Sequence, residues 1–291
     1  MIDFRHKTFL ELCKVRNYTK TAENLHMTQP AVTQHIKYLE QIYGGKLFIY
    51  SGKNLTITSK GKKLYEYTQR MIADSKKIEE MVISHNENIT ISFGATLTIG
   101  EFVMPSIISR VMKEKKNLHF NMFVENTKSL LLKLQSGEIS FALLEGFFDK
   151  SKYGYKLFRK EQFISVCSSK SPLKNGKYAL EELLNERLIL REKGSGTRDI
   201  LEQILHEVNL SKDNFKSIIE IGNMSAIKEL VAQDLGITFM YKAAAQKDLV
   251  NSELYKINLD NFEVNREFNF VYLKDSVHEN IYLKWFDLLS K

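Results

Sequence analysis

The chain has 291 residues, of which 43% are hydrophobic, so it can bury two or three cores and a disordered chain is excluded. It contains no uninterrupted apolar run of membrane-spanning length, and charges interrupt residues 1–14. The sequence therefore predicts no signal peptide, no membrane contact and a cytoplasmic location. Cys13 and Cys167 are too few for a disulfide framework or a zinc site, so neither metal nor cofactor is predicted.

The excess positive charge is confined to the start of the chain. Residues 1–65 hold 11 Lys and Arg against 4 Asp and Glu, a net charge of +7, and the remainder holds 31 of each sign. Nucleic-acid binding requires such a local basic region. A solvated basic surface would have the same composition, so charge alone leaves both interpretations open.

Three short helices are predicted in this basic region. The first covers 4–15 and has an apolar stripe at helical spacing, and the second covers 20–25 after the cap residue Thr19. The third begins with Thr28 as its N-cap and Pro30 in its first turn, where proline is tolerated. Its inward-facing residues are Val32, Ile36 and Leu39. The second and third helices, with their short connection, predict a helix-turn-helix.

Two further elements follow the helix-turn-helix. Short strands at 47–50 and 55–57, around a polar turn, predict a wing. A long helix is predicted over 58–85, which has no proline and has apolar residues at helical intervals. The apolar seam of this helix comprises Leu64, Tyr67, Met71, Ile78 and Met81. A helix of this length needs a partner against which to pack.

Beyond residue 86 the sequence alternates between β-rich and helical stretches, which is an α/β pattern. The β-rich runs are 89–93, 120–124, 141–144, 163–167, 218–221, 237–241 and 268–273. The helical stretches are 103–115, 197–208, 224–233 and a last helix from Asn280. The predicted fold class is α/β overall, with an all-α winged helix-turn-helix at the N-terminus and a long linker helix.

The third helix is expected to enter the major groove by its first turn. The predicted DNA contacts are Thr28, Gln29, Pro30, Ala31, Thr33, Gln34 and Lys37, with Lys53 of the wing. Amides and hydroxyls suit base edges, a methyl group suits thymine, and cations suit phosphate. Arg5, Lys60 and Lys62 are expected to reach the DNA backbone or the minor groove. Many enzymes contain helix pairs with a similar polar face, so this pattern alone is moderately specific.

Residues 9–64 resemble the winged helix of LysR-type transcriptional regulators nearly position by position. The segments that carry the resemblance are Phe9–Leu12, Thr19–Leu25, Thr28–Thr33, Leu39–Glu40, Leu47–Phe48 and Leu55–Thr58. The sequence departs from the family at Asn17 and Thr21, where Ser and Ala are usual, and at Tyr50, where Arg is usual. The missing Arg removes one expected contact with the DNA backbone.

The resemblance extends over the rest of the chain and implies its organisation. It implies a DNA-binding domain at 1–58, a linker helix at 59–87 through which the chain dimerises, and an effector-binding domain at 88–291. That last domain would have two lobes like those of periplasmic binding proteins, joined by two crossover strands. Lobe one would hold 88–160 and 268–291, and lobe two 161–267. The implied partners are double-stranded promoter DNA, a small-molecule effector between the lobes, a second dimer that completes a homotetramer, and RNA polymerase.

Polar and small residues at strand ends are expected to line the cleft between the lobes. The predicted effector contacts are Thr96, Thr98, Asn126, Gly194, Ser195, Gly196, Thr197 and Asn223. Residues 191–198 are similar to an octapeptide of LysR regulators of carbon-fixation and sulfur-assimilation genes. Small residues at the start of a helix also expose backbone amides to an anion. The predicted effector is therefore anionic.

Simpler roles explain the same residues. Hydroxyls before a helix can merely cap it, and Arg191 and Arg198 can pair with Glu192 or Asp199 on the surface. Glu145 is left out of the predicted set, because a carboxylate that faces an anion is unfavourable unless it is paired.

Three other classes of protein compete with a regulator. An enzyme would need a catalytic grouping, and the scattered histidines and the glycine loop supply none. A two-lobed solute-binding protein would need an export signal and would not explain the basic N-terminus. A ligand-independent architectural DNA-binding protein would bind with little sequence preference, whereas the polar recognition face predicts marked specificity. The sequence thus favours a sequence-specific regulator that is not an enzyme.

Overall fold

The computed structural model describes residues 3–83, 89–115 and 117–291. These residues form two compact units, and each is described by itself. The N-terminal unit holds residues 3–83 together with Gln135–Glu138, and the C-terminal unit holds the other described residues from 89 onward. The end of the predicted linker helix and the first residue of the predicted effector-binding domain lie outside the described residues, as does the side chain of Met81 in the predicted seam.

The N-terminal unit has four helices and one hairpin. They are α1 (Phe4–Val15), α2 (Tyr18–Asn24), α3 (Gln29–Ile42), β1 (Phe48–Ser51), β2 (Asn54–Ile57) and α4 (Ser59–Ile83). The predicted helices and wing are confirmed. The predicted cap of the second helix is wrong, because α2 begins earlier: Asn17 is its N-cap, and its side chain accepts a hydrogen bond from the amide of Lys20 at 3.0 Å.

The core of this unit lies where α1, α3 and the wing meet. Phe9, Leu12, Leu39 and Leu47 are fully buried there. Gly61, in the first turn of α4, lies so close to the carbonyl of Leu47 that a methyl group in its place would overlap that oxygen. The start of α4 is therefore fixed against the wing by a close backbone approach that only glycine allows.

The C-terminal unit contains the remaining elements. They are β3 (Ile89–Ala95), α5 (Met104–Glu114), β4 (Leu118–Val124), α6 (Thr127–Gln135), β5 (Ala142–Leu144), β6 (Tyr153–Ser168), β7 (Arg187–Leu190), α7 (Gly196–Glu207), β8 (Ser217–Glu220), α8 (Met224–Ala232), β9 (Thr238–Tyr241), α9 (Lys242–Val250), β10 (Leu254–Lys256), β11 (Val264–Leu273) and α10 (Glu279–Leu289). A π-helical turn, Ile99–Val103, precedes α5. Among the described residues of the chain, no helix is both long and apolar enough to span a bilayer.

Two long strands connect two lobes of this unit. In the first lobe β3 pairs in parallel with β4 and β5, and β11 pairs with β5 in the antiparallel sense. In the second lobe β7 pairs in parallel with β8, and a bridge from Leu188 to Ile237 joins β7 to the start of β9. The strand β6 pairs with β11 along its first part and with β9 and β10 along its last part. The two lobes are thus connected by β6 and β11.

Both connecting strands are longer than the sequence pattern predicts. The predicted strands 163–167 and 268–273 are the buried ends of β6 and β11. Their other ends, such as Tyr153–Gln162, carry exposed charged residues that do not give the apolar signal of a buried strand. Pairing between the two strands, rather than burial, holds these ends together.

Candidate functional site: the recognition helix and the inter-lobe cleft

The apolar face of α3 fixes the direction of its polar face. Val32, Ile36 and Leu39 are buried in the N-terminal unit. At the start of the helix the hydroxyl of Thr28 accepts a hydrogen bond from the amide of Ala31 at 3.4 Å, and Pro30 lies in the first turn. The opposite face of α3 therefore points away from the core and is available to DNA.

The structure exposes most of the predicted DNA contacts. The exposed residues are Thr28, Gln29, Pro30, Gln34, Lys37 and Lys53, and Ala31 and Thr33 are half-buried. Gln29 donates from Nε2 to the hydroxyl of Thr33 at 3.0 Å, and that hydroxyl donates to the carbonyl of Gln29 at 3.1 Å. Gln34 and Lys37, one turn further along, are also exposed, and their amide and ammonium groups suit base edges and phosphate.

The wing presents a cation beside the recognition helix. Phe48 and Leu55 bury the hairpin in the core, and the exposed Lys53 follows Gly52, whose φ of 61° suits glycine in the turn. A groove of about 340 Å³ lies between α3 and the wing. Burial and the nearby Glu40 carboxylate raise the pKa of Tyr18 in this groove to about 12, so its phenol is neutral at physiological pH.

The three flanking cations differ in their partners. The guanidinium of Arg5 pairs with Asp3 at 2.6 Å and lies 4.0 Å from the centre of the Tyr38 ring. The ammonium of Lys60 donates to carbonyls at the end of α3, at 2.7 Å for Gly44. Lys62 is exposed. Their predicted contacts with DNA stay predictions, and for Arg5 and Lys60 such contacts would compete with these internal partners.

A buried carboxylate is the centre of the inter-lobe cleft. Glu145, which follows β5, is 2% exposed and accepts hydrogen bonds from the hydroxyl of Thr98 at 3.1 Å and, at 3.5 Å, from that of Thr197 in the second lobe. Its own amide donates to the hydroxyl of Thr96 at 3.3 Å. Three of the predicted effector contacts therefore converge on Glu145, the residue that the sequence analysis left out.

Burial changes the protonation of this carboxyl group. Desolvation raises the pKa of Glu145 to about 7, against the opposing effects of the Thr98 hydroxyl and the Arg191 charge. Its Oε2 atom has no hydrogen-bond partner among the described residues. Near neutral pH the group is therefore partly protonated, and it can then donate a hydrogen bond as well as accept one.

Two buried arginines lie in the second lobe, one after β7 and one at the start of α7. Arg191 forms a bidentate pair with Glu192, at 2.7 and 2.9 Å, but its buried Nη1 has no partner in the described part of the chain. Arg198 donates to Glu202 at 2.7 Å and to Glu220 at 2.6 Å, rather than to Asp199. Arg198 is thus fully engaged by protein acceptors, whereas one buried donor of Arg191 has no partner among the described residues.

The first turn of α7 is arranged differently from those of α6 and α8. Ser195 is its N-cap but makes no side-chain capping bond. By contrast, Asn126 accepts from the amide of Ser129, and Asn223 accepts from the amide of Ala226, each at 2.9 Å. The two asparagines therefore cap their own helices, whereas the first amides of α7 are left by Ser195 for another acceptor.

The two lobes also approach each other near Gly196. A methyl group at Gly196 would lie 3.3 Å from the carbonyl oxygen of Glu145, so a larger residue there would press against the first lobe. Gly194 has a φ of 88°, which suits glycine in the loop before α7. The hydroxyl of Ser225 on α8 donates to Glu101 in the π-helical turn at 2.5 Å and thus connects the lobes a second time. These contacts join the two lobes across the cleft.

Both parts of the chain match signatures of one protein family. Residues 85–291 match the LysR substrate binding domain, and residues 5–62 match the bacterial regulatory helix-turn-helix protein of the lysR family. The chain belongs to the LysR family of transcriptional regulators. Members of this family are regulators rather than enzymes.

Relatives and solved structures agree with membership of the LysR family. The HTH-type transcriptional regulator CysL of Bacillus subtilis is 27% identical over 91% of this chain and 89% of its own length. The OxyR C206 mutant of Corynebacterium glutamicum has a TM-score of 0.63 at 20% identity, over 98% of this chain and 89% of that one. The CcmR regulatory domain of Synechocystis, in complex with 2-PG, has a TM-score of 0.61 at 20% identity, over 69% of this chain and 97% of that domain. These structures show the same fold.

The LysR fold confirms the predicted architecture of this regulator: a helix-turn-helix followed by a two-lobed α/β domain like a periplasmic binding protein. A buried acid is hard to recognise in a sequence when its partners are unknown, and the partners of Glu145 come from two distant segments, at Thr96 and Thr98 and at Thr197. The one sequence feature that points to Glu145 is a carboxylate directly after an apolar strand, in the part of the cleft where hydroxyl residues were predicted.

Proposed function

We propose that this LysR-family regulator binds a promoter through α3 and the wing, and that a small anionic effector between its lobes controls that binding. The observation that carries the proposal is the incomplete polar cluster in the cleft. Glu145 Oε2 and Arg191 Nη1 are buried without partners in the described residues. Such atoms cost free energy, and a ligand that hydrogen bonds both would recover it.

Several features support an anion as the effector. The start of α7 offers amide donors and the positive end of a helix dipole, and Ser195 leaves those amides uncapped. Arg191 adds a buried cation with one uncommitted donor. The related CcmR domain has 2-PG bound. We place the effector among Thr96, Thr98 and residues 194–197, with the capping residues Asn126 and Asn223 at the rim.

The proposal assigns a proton to Glu145 when the effector is bound. A charged carboxylate would repel an anion, whereas a protonated one can donate its O–H to it. Because the pKa of Glu145 is raised to about 7, the proton is available near neutral pH. Affinity for the anion should therefore fall as the pH rises above about 7.

The linker helix supports a dimeric regulator. Tyr67, Met71 and Ile78 on α4 are each about half exposed, and their spacing is that of a coiled-coil seam. We propose that two chains pair through this seam and that two dimers form a homotetramer in the cytoplasm, with RNA polymerase as a partner at the promoter. The domain boundaries 1–58, 59–87 and 88–291 belong to the same proposal.

Retention of promoter DNA tests the DNA-binding half of this proposal. The purified protein is mixed with the intergenic DNA beside its own gene, at two salt concentrations and against scrambled competitor. Specific retention that survives the competitor is the expected result. If scrambled DNA displaces the promoter DNA as effectively as unlabelled promoter DNA does, a ligand-independent architectural protein would be supported instead. No retention of any DNA would contradict DNA binding.

A further inference from the structure

Two tyrosines line the groove between α3 and the wing. Tyr18, at the start of α2, is half-buried, and Tyr50 of β1 is 67% exposed. Burial, then Glu40 and then Tyr50 itself raise the pKa of Tyr18, so the two phenols lie near each other. Neither hydroxyl has a hydrogen-bond partner in the ranges of the chain that the structure describes. Two neutral hydroxyl donors are therefore available to a ligand in this groove.

The charged residues of the groove leave it with one uncompensated cation. Lys46 pairs with Glu40 at 2.8 Å, and the same carboxylate accepts a hydrogen bond from the amide of Leu47 at 3.0 Å. Lys37 is exposed and forms no ion pair or hydrogen bond with any residue that the structure describes. The groove therefore combines one unpaired ammonium group with two neutral hydroxyl donors, and this combination suits a single phosphate.

The other residues of the groove have structural roles. Ile36, Phe48 and Leu55 line it and are buried in the core of the N-terminal unit. The hydroxyl of Thr33 already accepts from Nε2 of Gln29 at 3.0 Å and donates to the carbonyl of Gln29 at 3.1 Å. The two phenols and the ammonium group of the groove are therefore the donors that remain for a ligand.

The position of the groove fits the path of one DNA strand. A recognition helix such as α3 enters the major groove by its first turn, and a basic element beside it can reach the adjacent minor groove. One sugar–phosphate backbone separates these two grooves of a duplex. That backbone has to pass between the helix and the wing, where Lys37 and Tyr50 line opposite sides of the gap.

We propose that this groove binds one phosphate of the DNA backbone, to which Tyr18 and Tyr50 donate their hydroxyls and Lys37 supplies the charge. The inference rests on the proposed DNA binding and adds the two tyrosines to it as positioning residues. A phosphate contact carries no sequence information. Because a phenol is neutral, its hydrogen bond adds affinity without neutralising a phosphate and releasing a counterion. The two tyrosines therefore strengthen binding to every sequence and add nothing to its salt dependence.

Binding of the full chain to the intergenic DNA beside its gene and to scrambled DNA, at several salt concentrations, tests this site. Y50F and Y18F should each weaken binding to both DNAs by about threefold to tenfold per bound chain. The slope of log affinity against log salt should stay unchanged in both variants, whereas K37Q should reduce it by about 1 per bound chain. Y255F, which removes a hydroxyl from β10 of the C-terminal unit, is the matched control and should bind like the wild type. Wild-type affinity in both Y50F and Y18F would overturn the inference.

DNA with single methylphosphonate linkages locates the contact. Each such linkage replaces one charged phosphate by a neutral group, which weakens any hydrogen bond that the phosphate accepts. At one linkage of each half-site, the difference in affinity between the wild type and Y50F should largely disappear. A difference that persists at every linkage would show that Tyr50 contacts no phosphate, and this inference alone would fail. If the wild type binds no DNA, the proposed function fails and this inference fails with it.

Discussion

The recognition helix and the inter-lobe cleft use polar residues in opposite ways. On α3 the buried residues are apolar, and the polar ones, such as Gln34 and Lys37, are exposed to solvent. In the cleft the charged residues Glu145 and Arg191 are themselves buried and keep unpartnered atoms. Exposed polar side chains on the DNA-binding surface are solvated by water until DNA binds. Buried polar groups in the cleft have no such solvation, so they are stable only when they are paired. The cleft is therefore where protonation and ligands should change the stability of the protein most.

The largest expected effect is that of E145Q on stability, and it depends on pH. The folded pKa of Glu145, about 7, lies above its ordinary value of 4.5, so the wild-type carboxyl is neutral in both states at low pH. Between about pH 4.5 and 7 the unfolded chain releases this proton while the folded chain keeps it, so over this range the wild type loses up to about 3 kcal/mol of stability that the neutral glutamine keeps. E145Q should therefore be more stable than the wild type at pH 8.5 and similar to it at pH 4.

Urea unfolding followed by the fluorescence of Trp285 measures this difference, because it is the one tryptophan of the chain and it lies on α10 of the C-terminal unit. E181Q, which changes an exposed glutamate of the C-terminal unit, serves as the control. The same free-energy difference at both pH values for E145Q would show that the carboxyl group is not held neutral by burial.

A smaller loss is expected in the N-terminal unit from G61A. The new methyl group would overlap the Leu47 carbonyl and the Ile57 side chain, so the wing must shift at a cost of about 2 kcal/mol. Circular dichroism should show earlier unfolding of the N-terminal unit, while the Trp285 transition stays unchanged. G45A is the matched control, since its methyl group meets only the flexible end of Lys60. Equal effects of G61A and G45A would argue against the close approach as the cause.

Two substitutions on the DNA-binding surface should differ in kind. Q34A should change base preference at one position of the site, by about 1–3 kcal/mol. K53A should weaken binding to all sequences by a similar factor and reduce the slope of log affinity against log salt by about 1. Binding to a panel of single-base variants of the site, at several salt concentrations, separates the two. Uniform weakening by both would remove the distinction between reading and positioning.

The smallest effects should come from the caps of the cleft helices. N126A removes a side-chain bond to the amide of Ser129 and should cost about 1 kcal/mol. S195A removes no side-chain capping bond and should leave stability nearly unchanged. Trp285 fluorescence in urea reports both. A larger loss in S195A than in N126A would show that Ser195 has a structural role which its contacts do not reveal.

The sequence predicted the N-terminal unit better than the cleft, for a physical reason. Val32, Ile36 and Leu39 repeat with the period of a helix, so α3 and its outward face follow from local pattern. The role of Glu145 depends on hydroxyls from Thr98 and Thr197, which are distant in the chain, and only the folded protein brings them together. The first part of β6 was missed because strand pairing holds it rather than an apolar core.

The sequence also could not predict which of two similar residues caps a helix. Thr19 and Asn17 are both good caps, and the structure uses Asn17. At the cleft, Asn126 and Asn223 are used as caps while Ser195 is not. The sequence pattern cannot distinguish a hydroxyl or amide that caps the N-terminus of a helix from one that binds a ligand, because both occupy the same position.

The most direct test of the account is reciprocal coupling between the cleft and DNA. First, an anionic metabolite that binds the wild-type chain is selected without DNA. Its affinity for E145Q must not depend on pH, which shows that it binds at Glu145. Its affinity is then measured by calorimetry with and without the specific promoter fragment. The account predicts that the fragment changes this affinity by the same factor by which the anion changes affinity for the fragment. Equal anion affinity in both conditions would contradict control of DNA binding by the cleft.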